Sequence, residues 1–407
     1  MLGWARPVSL VNAQVVVPGG TASRLRFAGS VLAIDAAPRR GDVVVDLGGA
    51  CVFPGLINAH DHLELNHFGA LRPRDRYTNA SDWIDDLAPI VSGDPRVRQN
   101  AAHPLKWRLF VGGLKNLLSG VTTVAHHNPR YREIRDGFPV HVLKRYRWAH
   151  SFHLEGKPVG AKGERGVSVT EQAAAAPLAE PFMVHLAEGV DERACRELAA
   201  LESSGGLRPN TVLVHGVAVT AEEWRRAIRA GASLVWCPAS NRFLFGRTIA
   251  ARPFIDAHPD ALDHMAIATD SRLTGARDLL DELRVARDAG DVSAGELLAM
   301  ATTSAARVLK LSRAGRIAVG SPADLLVLPR LAGTPAETLL AASRREVSLV
   351  VLGGRPMVGR PEFRALFSAR RVAVRPIVVD GEDRLAESRL GSSLARCPIR
   401  EEGVECV

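Results

Sequence analysis

The sequence predicts an α/β protein: a (β/α)8 TIM-like barrel with a small β-sandwich domain built from both chain ends. Three observations predict it. The 407 residues are too many for one ordinary core but suit a large barrel plus an appended module. In the middle of the chain, short apolar strands alternate with helical stretches and each strand runs into a polar loop, the pattern of parallel βα units. β-rich pieces flank this series on both sides.

Residues 1–53 form the first flank. "SLVNAQVVV", "RLRFAGSVLAID" and "GDVVVDLGG" alternate β-rich pieces with turns, as in a sandwich or meander. Residues 54–307 form the central series, close to the ~250 residues typical of an eight-stranded βα barrel. The helical stretch "PLKWRLFVGGLKNLLSG" precedes the strand "VTTVAHH", read as the third of the series. "PFMVHLAEG", "TVLVHGVAV", "ASLVWCPAS" and "HMAIATDS" follow as strands. "DERACRELAALESSGG", "TAEEWRRAIRAG" and "ARDLLDELRVARDAG" follow as helices. Thr220 with Glu223 and Ser293 with Glu296 make capping boxes, and Gly231 and Gly290 stand where helices should stop. Residues 131–183 are short for a full strand, helix and strand, so the barrel is expected to be trimmed there, and the fourth strand is the weakest element. Residues 308–370 return to β pieces, "GRIAVGSPADLLVLP" and "VSLVVLGGRPMV". Residues 371–407 read as a tail with one extra strand, "RRVAVRPIVV", and a loose end.

The net charge of +8 raises nucleic acid as a partner, but the arginines are scattered and no basic stripe is interleaved with aromatics, so no nucleic-acid partner is expected. Five cysteines, an odd number without zinc-knuckle spacing, together with no signal-peptide pattern, point to reduced thiols and a cytoplasmic location. No apolar run approaches the roughly 20 residues that span a bilayer, so no membrane partner is expected. A homo-oligomer is compatible with the sequence.

In a barrel, side chains at the C-terminal strand ends converge on the active site. "INAHDH" supplies His60 and His62; "PFMVHLAEG" supplies His185 and Glu188; "TVLVHG" supplies His215; "CPASN" supplies Ser240 and Asn241; "ATDS" supplies Asp270. Residues i and i+2 of a strand share a side, so His60 and His62 face the axis together. Each imidazole carries two nitrogens that need partners, and a divalent metal satisfies one on each. With His185 as a third nitrogen and Asp270 as an oxygen, the set suits zinc or iron, and an open position for water makes the site catalytic. Glu188 is placed to shuttle the water's proton, and His215 to orient water or polarise substrate. Lone histidines are ordinarily satisfied core or surface residues, the reading taken for His103, His141, His150, His258 and His264. His67 reads as loop.

"PGLINAHDH", "VHLAEG", "LVHG", "CPASN" and "ATDS", in this order, resemble the amidohydrolase superfamily. They are most similar to its branch of cytosine, guanine and S-adenosylhomocysteine deaminases and triazine hydrolases. "GRIAVGSPADLLVL" is similar to that family's closing β piece, and the likeness spans roughly residues 8–360. It implies His60, His62, His185 and Asp270 as ligands of one divalent metal, zinc first, with iron or manganese as alternatives. It implies Glu188 as proton shuttle, His215 as the residue that orients water or substrate, and Ser240 and Asn241 as pocket-shaping. Binuclear members use a bridging lysine or glutamate; Glu155 and Lys157 are the nearest candidates, and one metal is expected. His126 and His127, in "VAHHNP", contact substrate, or His127 caps the next loop. Residues 67–105 occupy the place of a substrate-covering loop, where Arg72, Arg74 and Arg76 are read as solvated. The expected activity is metal-dependent hydrolysis of a C–N bond of a small nitrogen heterocycle, a deaminase of an aminated purine, pyrimidine or triazine. Hydrolysis of a cyclic amide, imidazolone, N-acyl compound or chlorinated ring is the alternative, and a non-catalytic binding barrel the second.

Overall fold

Strand-forming residues in the centre of this chain show little polar alternation, and the computed structural model, which describes residues 5–159 and 164–407, shows why. Among the described residues eight parallel strands run in chain order through the interior: β1 (Leu56–Asp61), β2 (Val121–His126), β3 (His141–Val142), β4 (Arg147–Ala149), β5 (Phe182–Leu186), β6 (Thr211–His215), β7 (Ser233–Trp236) and β8 (Met265–Ile267). They form two sheets, β3-β2-β1 and β4-β5-β6-β7-β8, with every neighbouring pair parallel. β1 and β8, the outer strands of the two sheets, lie against each other. Every residue of β1, β2, β5, β6, β7 and β8 is buried, which removes the polar face and with it the alternating pattern.

The helices that position the site are α1 (Ala80–Gly93), α2 (Leu105–Leu118), α3 (Glu192–Ser203), α4 (Ala221–Arg229), α5 (Pro238–Phe245) and α6 (Leu279–Ala289). Thr220 and Glu223 form a reciprocal capping box at α4, and Ser293 with Glu296 does so further on. Gly231, at φ +81°, follows α4 in the left-handed conformation that glycine adopts freely. Gly290 ends α6 in extended backbone instead. Among the described residues no helix is long and apolar enough to cross a membrane.

The connections between β2 and β4 are irregular. β3 and β4 hold two and three residues, and no helix separates β2, β3 and β4. "VTTVAHH" is consequently the second strand of the series, where the sequence reading places it third. The short β3 piece had been invisible because a two-residue strand carries no periodicity.

Both flanks fold into antiparallel-rich sheets. Val31–Ile34, Leu25–Phe27, Val8–Val11 and Val43–Asp46 make a four-stranded sheet. The second sheet joins the two ends of the chain: Leu325–Leu328 pairs antiparallel with Cys51–Pro54, which pairs in turn with Gln14–Val17. Val8, Leu10 and Phe27 from the first sheet share one apolar cluster with Val52, Val327 and Leu349 from the second.

Residues 371–407 are more ordered than a tail. Val374–Val379, Glu382–Glu387 and Val404–Cys406 extend the second sheet, and a helix runs over Ser388–Arg396. Glu401 is buried there and meets Arg272 in a two-pronged ion pair at 2.7 Å on each oxygen, with Arg344 2.5 Å away. Arg272 lies in the loop that follows β8, so the end of the chain is fastened to a loop next to Asp270. Charged residues paired across such a sequence distance leave no local pattern, which is why the sequence reading misses this order.

A candidate metal centre at the strand ends

Alternation along β1 sorts its polar residues. His60 and His62 turn one way and Asp61 the other. Asp61 is fully buried. It accepts hydrogen bonds from Asn58 and Asn116 side chains at 3.1 and 2.8 Å and from Asn66 at 2.6 Å, with the Lys115 ammonium 3.2 Å away. This network ties β1 to α2 and, through Thr269, to the end of β8.

His60 and His62 converge with His185 and Asp270. His185 Nε2 lies 3.3 Å from His60 Nε2 and 3.4 Å from His62 Nε2. Asp270 Oδ1 lies 3.7 Å from His60 Nε2 and 3.8 Å from His62 Nε2. The far nitrogens decide what these atoms are. His185 Nδ1 is 2.9 Å from the His150 carbonyl oxygen, which can only accept, so Nδ1 carries the proton and Nε2 a lone pair. His127 Nε2 likewise donates to the Ala149 carbonyl at 2.9 Å. Its Nδ1 therefore accepts from His60 Nδ1 at 3.1 Å, and His60 Nε2 is left with a lone pair. Two lone pairs facing each other across 3.3 Å repel unless a cation lies between them. Ligands arranged tetrahedrally about 2.0–2.1 Å from a zinc ion stand about 3.3–3.4 Å apart. The donor set and its spacing fit a divalent metal.

Asp270 is held for this. Its Oδ2 accepts from Ser240 Oγ at 2.9 Å and Thr274 Oγ1 at 2.8 Å, which leaves Oδ1 toward the imidazoles. Burial pushes its carboxyl up, but the surrounding imidazoles outweigh that and hold it well below the usual carboxylate range. Burial drives all four nearby imidazoles toward the neutral form that metal binding requires, His60, His62 and His185 among them, with His215 lowered to about 4. His215 and Asp270 have φ of +74° and +53°, a left-handed backbone that non-glycine residues rarely hold and that concentrates at functional sites.

His215 donates Nδ1–H to Asn241 Oδ1 at 2.9 Å, and its Nε2 lies 3.5 Å from Glu188 Oε1. Burial, reinforced by the charges of Asp270 and Glu197, raises the Glu188 carboxyl well above its ordinary range. Glu197, which accepts from the Ala187 amide at 2.6 Å, is raised by burial to about 7. Ser240 and Asn241 sit in the first turn of α5 rather than at the end of β7, and neither lines the cavity beside the imidazoles. They hold Asp270 and His215. His127 is similarly behind His60, and His126 is buried with its Nδ1 3.8 Å from Glu64 Oε2. Glu155 accepts from the Val169 amide at 2.7 Å, and Lys157 Nζ lies 2.6 Å from His153 Nε2, so both are engaged elsewhere.

A cavity of about 300 Å³ opens beside this cluster, lined by His62, His185, Glu188, His215 and Asp270. α1 roofs it with Trp83, Ile84 and Leu87. The roof is fastened to the Glu188 loop: the Ala80 amide donates to the Glu188 carbonyl at 3.0 Å and the Val190 amide to the Thr78 carbonyl at 2.7 Å. A Cβ at Gly189 would stand 2.7 Å from the Thr78 oxygen, so only glycine permits this approach. Arg72, Arg74 and Arg76 do not line the cavity, and Arg74 pairs with Asp86 at 2.5 Å.

Among the polar cavity residues that the sequence reading does not assign to the site are Glu64, Arg108, Asn128 and His150. Glu64 lies in the short helical turn that follows β1, beyond the reach of the strand's two-residue period. His150 immediately follows β4 and would have been found had that strand been recognised. Arg108 interrupts an otherwise apolar stretch of α2. Nothing local marks Asn128.

Comparisons with known proteins agree with the motifs. Residues 160–357 match the amidohydrolase family model. The 5-methylthioadenosine/S-adenosylhomocysteine deaminase of Halobacterium salinarum is 28% identical over 355 residues, covering 74% of this chain and 78% of that protein. A triazine hydrolase from Arthrobacter aurescens superposes with a TM-score of 0.69 at 19% identity, covering 90% of this chain and 99% of the other. An adenosine deaminase from Xanthomonas campestris with bound zinc superposes with a TM-score of 0.67 at 20% identity, covering 90% and 96%.

Proposed function

We propose that the chain is a metal-dependent hydrolase of the amidohydrolase type that releases ammonia from an aminated nitrogen heterocycle, a reading supported by the match of residues 160–357 to the amidohydrolase family model. The observation that carries this reading is the convergence of three imidazole Nε2 atoms and Asp270 Oδ1 at 3.3–3.8 Å, beside Glu188 and a cavity of ring size. The eight parallel strands are read as one closed barrel spanning residues 54–307. The two flanking sheets are read as a sandwich from residues 1–53 and 308–370, extended by 371–407. Residues 1–4 lie outside the described residues. The enzyme is taken to be cytoplasmic and to act on a small molecule.

His60, His62, His185 and Asp270 would hold one metal ion, zinc first and iron or manganese as alternatives. Such an ion supplies Lewis acidity that makes a bound water acidic near neutral pH. Glu188 takes the proton given up by the attacking water on a carboxyl oxygen and returns it to the departing amine. His215, fixed by Asn241, presents Nε2 to the same space and orients water and ring. Ser240 and Thr274 keep Asp270 from rotating, and α1 excludes bulk solvent from the cavity.

Metal analysis of the purified protein and an ammonia-release assay across aminated purines, pyrimidines and triazines test the proposal. About one equivalent of metal and ammonia release from at least one ring are expected. Turnover of a ring amide without ammonia release would move the assignment to cyclic-amide hydrolysis, and a protein that takes up no metal would remove it.

A further inference from the structure

Residues 371–407 carry none of the strand-end motifs, yet one of their side chains is joined to the loop that continues from Asp270. That loop runs from Ser271 to Asp278, the N-cap of α6. It is wound on itself: the Ser271 carbonyl accepts from the Thr274 and Gly275 amides at 3.2 and 2.7 Å. A Cβ at residue 275 would stand 1.8 Å from the Thr269 oxygen, so only glycine permits the winding. The loop serves the candidate metal centre directly. Thr274 Oγ1 donates to Asp270 Oδ2 at 2.8 Å, and Ser271 and Leu273 line the cavity.

Arg272 ties this loop shut and anchors it. Its Nε–H donates to the Arg277 carbonyl at 2.8 Å, and its two terminal nitrogens donate to the two Glu401 oxygens at 2.7 Å each. Glu401 is held from behind by Arg344, whose Nη1 lies 2.5 Å away. Arg344 is also buried, and it donates to Asp380 at 2.9 Å and to the Glu402 carbonyl at 2.7 Å. Asp380 in turn accepts from Arg277 at 2.7 Å. Two-pronged contacts between arginine and carboxylate fix direction as well as distance. Asp380 and Glu401 therefore hold the loop at Arg277 and at Arg272.

Resting on the metal-site reading, we infer that Glu401 is a positioning residue for Asp270. Through Arg272 it keeps residues 271–278 in the winding that presents Thr274 to Asp270 Oδ2 and leaves Oδ1 toward the imidazoles. Asp270 itself stands at φ +53°, a backbone conformation that persists only where its surroundings hold it. A slackened loop lets Asp270 turn away, and the site then loses its anionic ligand although Glu401 touches neither Asp270 nor the imidazoles.

Chelator competition for zinc tests this on the full-length parent, Glu401→Gln, Arg272→Lys and Asp42→Asn, with circular dichroism and with ammonia release at saturating zinc. Glu401→Gln keeps the shape but removes the charge. Arg272→Lys keeps the charge but cannot form the two-pronged contact. Each should weaken zinc binding by about tenfold and lower kcat more than it raises KM, because the cavity roof belongs to α1 and not to this loop. Asp42 is the control. It takes a two-pronged contact of the same kind from Arg26, at 2.8 and 3.0 Å, beside the first flanking sheet. Asp42→Asn should lower Tm and leave zinc affinity at the parental value. If one of the two loop variants unfolds, the other decides. Unchanged zinc affinity in a folded loop variant, an equal loss in Asp42→Asn, or failure of both loop variants to fold overturns this inference and leaves the metal-site reading standing. A parent that takes up neither zinc, iron nor manganese overturns both.

Discussion

His127 Nδ1 lies 3.1 Å from His60 Nδ1, and its other nitrogen donates to the Ala149 carbonyl at 2.9 Å. A backbone carbonyl at the end of β4 thereby fixes the tautomer of a side chain on β1. Partners behind metal-binding histidines typically govern affinity by 10–100-fold. His127→Ala should weaken metal binding by about that factor while the fold persists, and His127→Gln should recover part of the loss. Chelator competition followed by circular dichroism checks this; unchanged affinity in a folded His127→Ala would place His127 outside the metal's support.

Glu188 is half-buried, faces His215 Nε2 at 3.5 Å and has the carboxyls of Asp270 and Glu197 nearby. Glu188→Gln keeps shape and removes the exchangeable proton. Turnover should fall by about 10²–10⁴-fold with metal content unchanged. Ammonia release and metal analysis on the same preparation check it, and retained turnover would falsify the shuttle role.

The converging cluster was legible in the sequence because strand ends announce themselves. An apolar run followed by His, Asp or Glu needs only the two-residue period to say which side chains share a direction. His60, His62, His185, His215 and Asp270 all obey that rule and converge. What was illegible depends on distance in sequence or on pieces too short to show a period. β3 and β4 are such pieces, and with them went His150 and the correct rank of the strand bearing His126 and His127. The Arg272–Glu401 pair joins residues far apart in the chain, and no window contains both. Ser240 and Asn241, expected to shape the pocket, lie in the first turn of the proline-led helix α5 and hydrogen-bond Asp270 and His215.

Lys115 and Asp61 are both fully buried and 3.2 Å apart. Removing one partner of a buried pair leaves an uncompensated charge and typically costs about 3–5 kcal/mol. Lys115→Met should lower the urea midpoint accordingly, tempered by the three asparagine side chains that still donate to Asp61. Asp61→Asn added to Lys115→Met should restore part of the loss, since the charge left behind is then gone. Additive losses in this double-mutant cycle would show that the two residues are not coupled.

Glu282, on α6, is buried and accepts from the amides of Ala239 and Ala276 at 2.7 and 3.2 Å, bridging the start of α5 to the loop after Asp270. Burial pushes its carboxyl from the ordinary 4.5 up to about 8, and the two amides only moderate that rise. The folded chain therefore keeps a proton that the unfolded chain gives up between those values. The stabilising contribution is complete below about pH 4.5 and is lost as pH rises through about 8. Glu282→Gln is neutral throughout. In metal-free protein, the Tm of the parent should fall from about pH 5 to about pH 8.5 by more than that of Glu282→Gln. Parallel Tm profiles would mean that Glu282 ionises in the folded protein as readily as in the unfolded one.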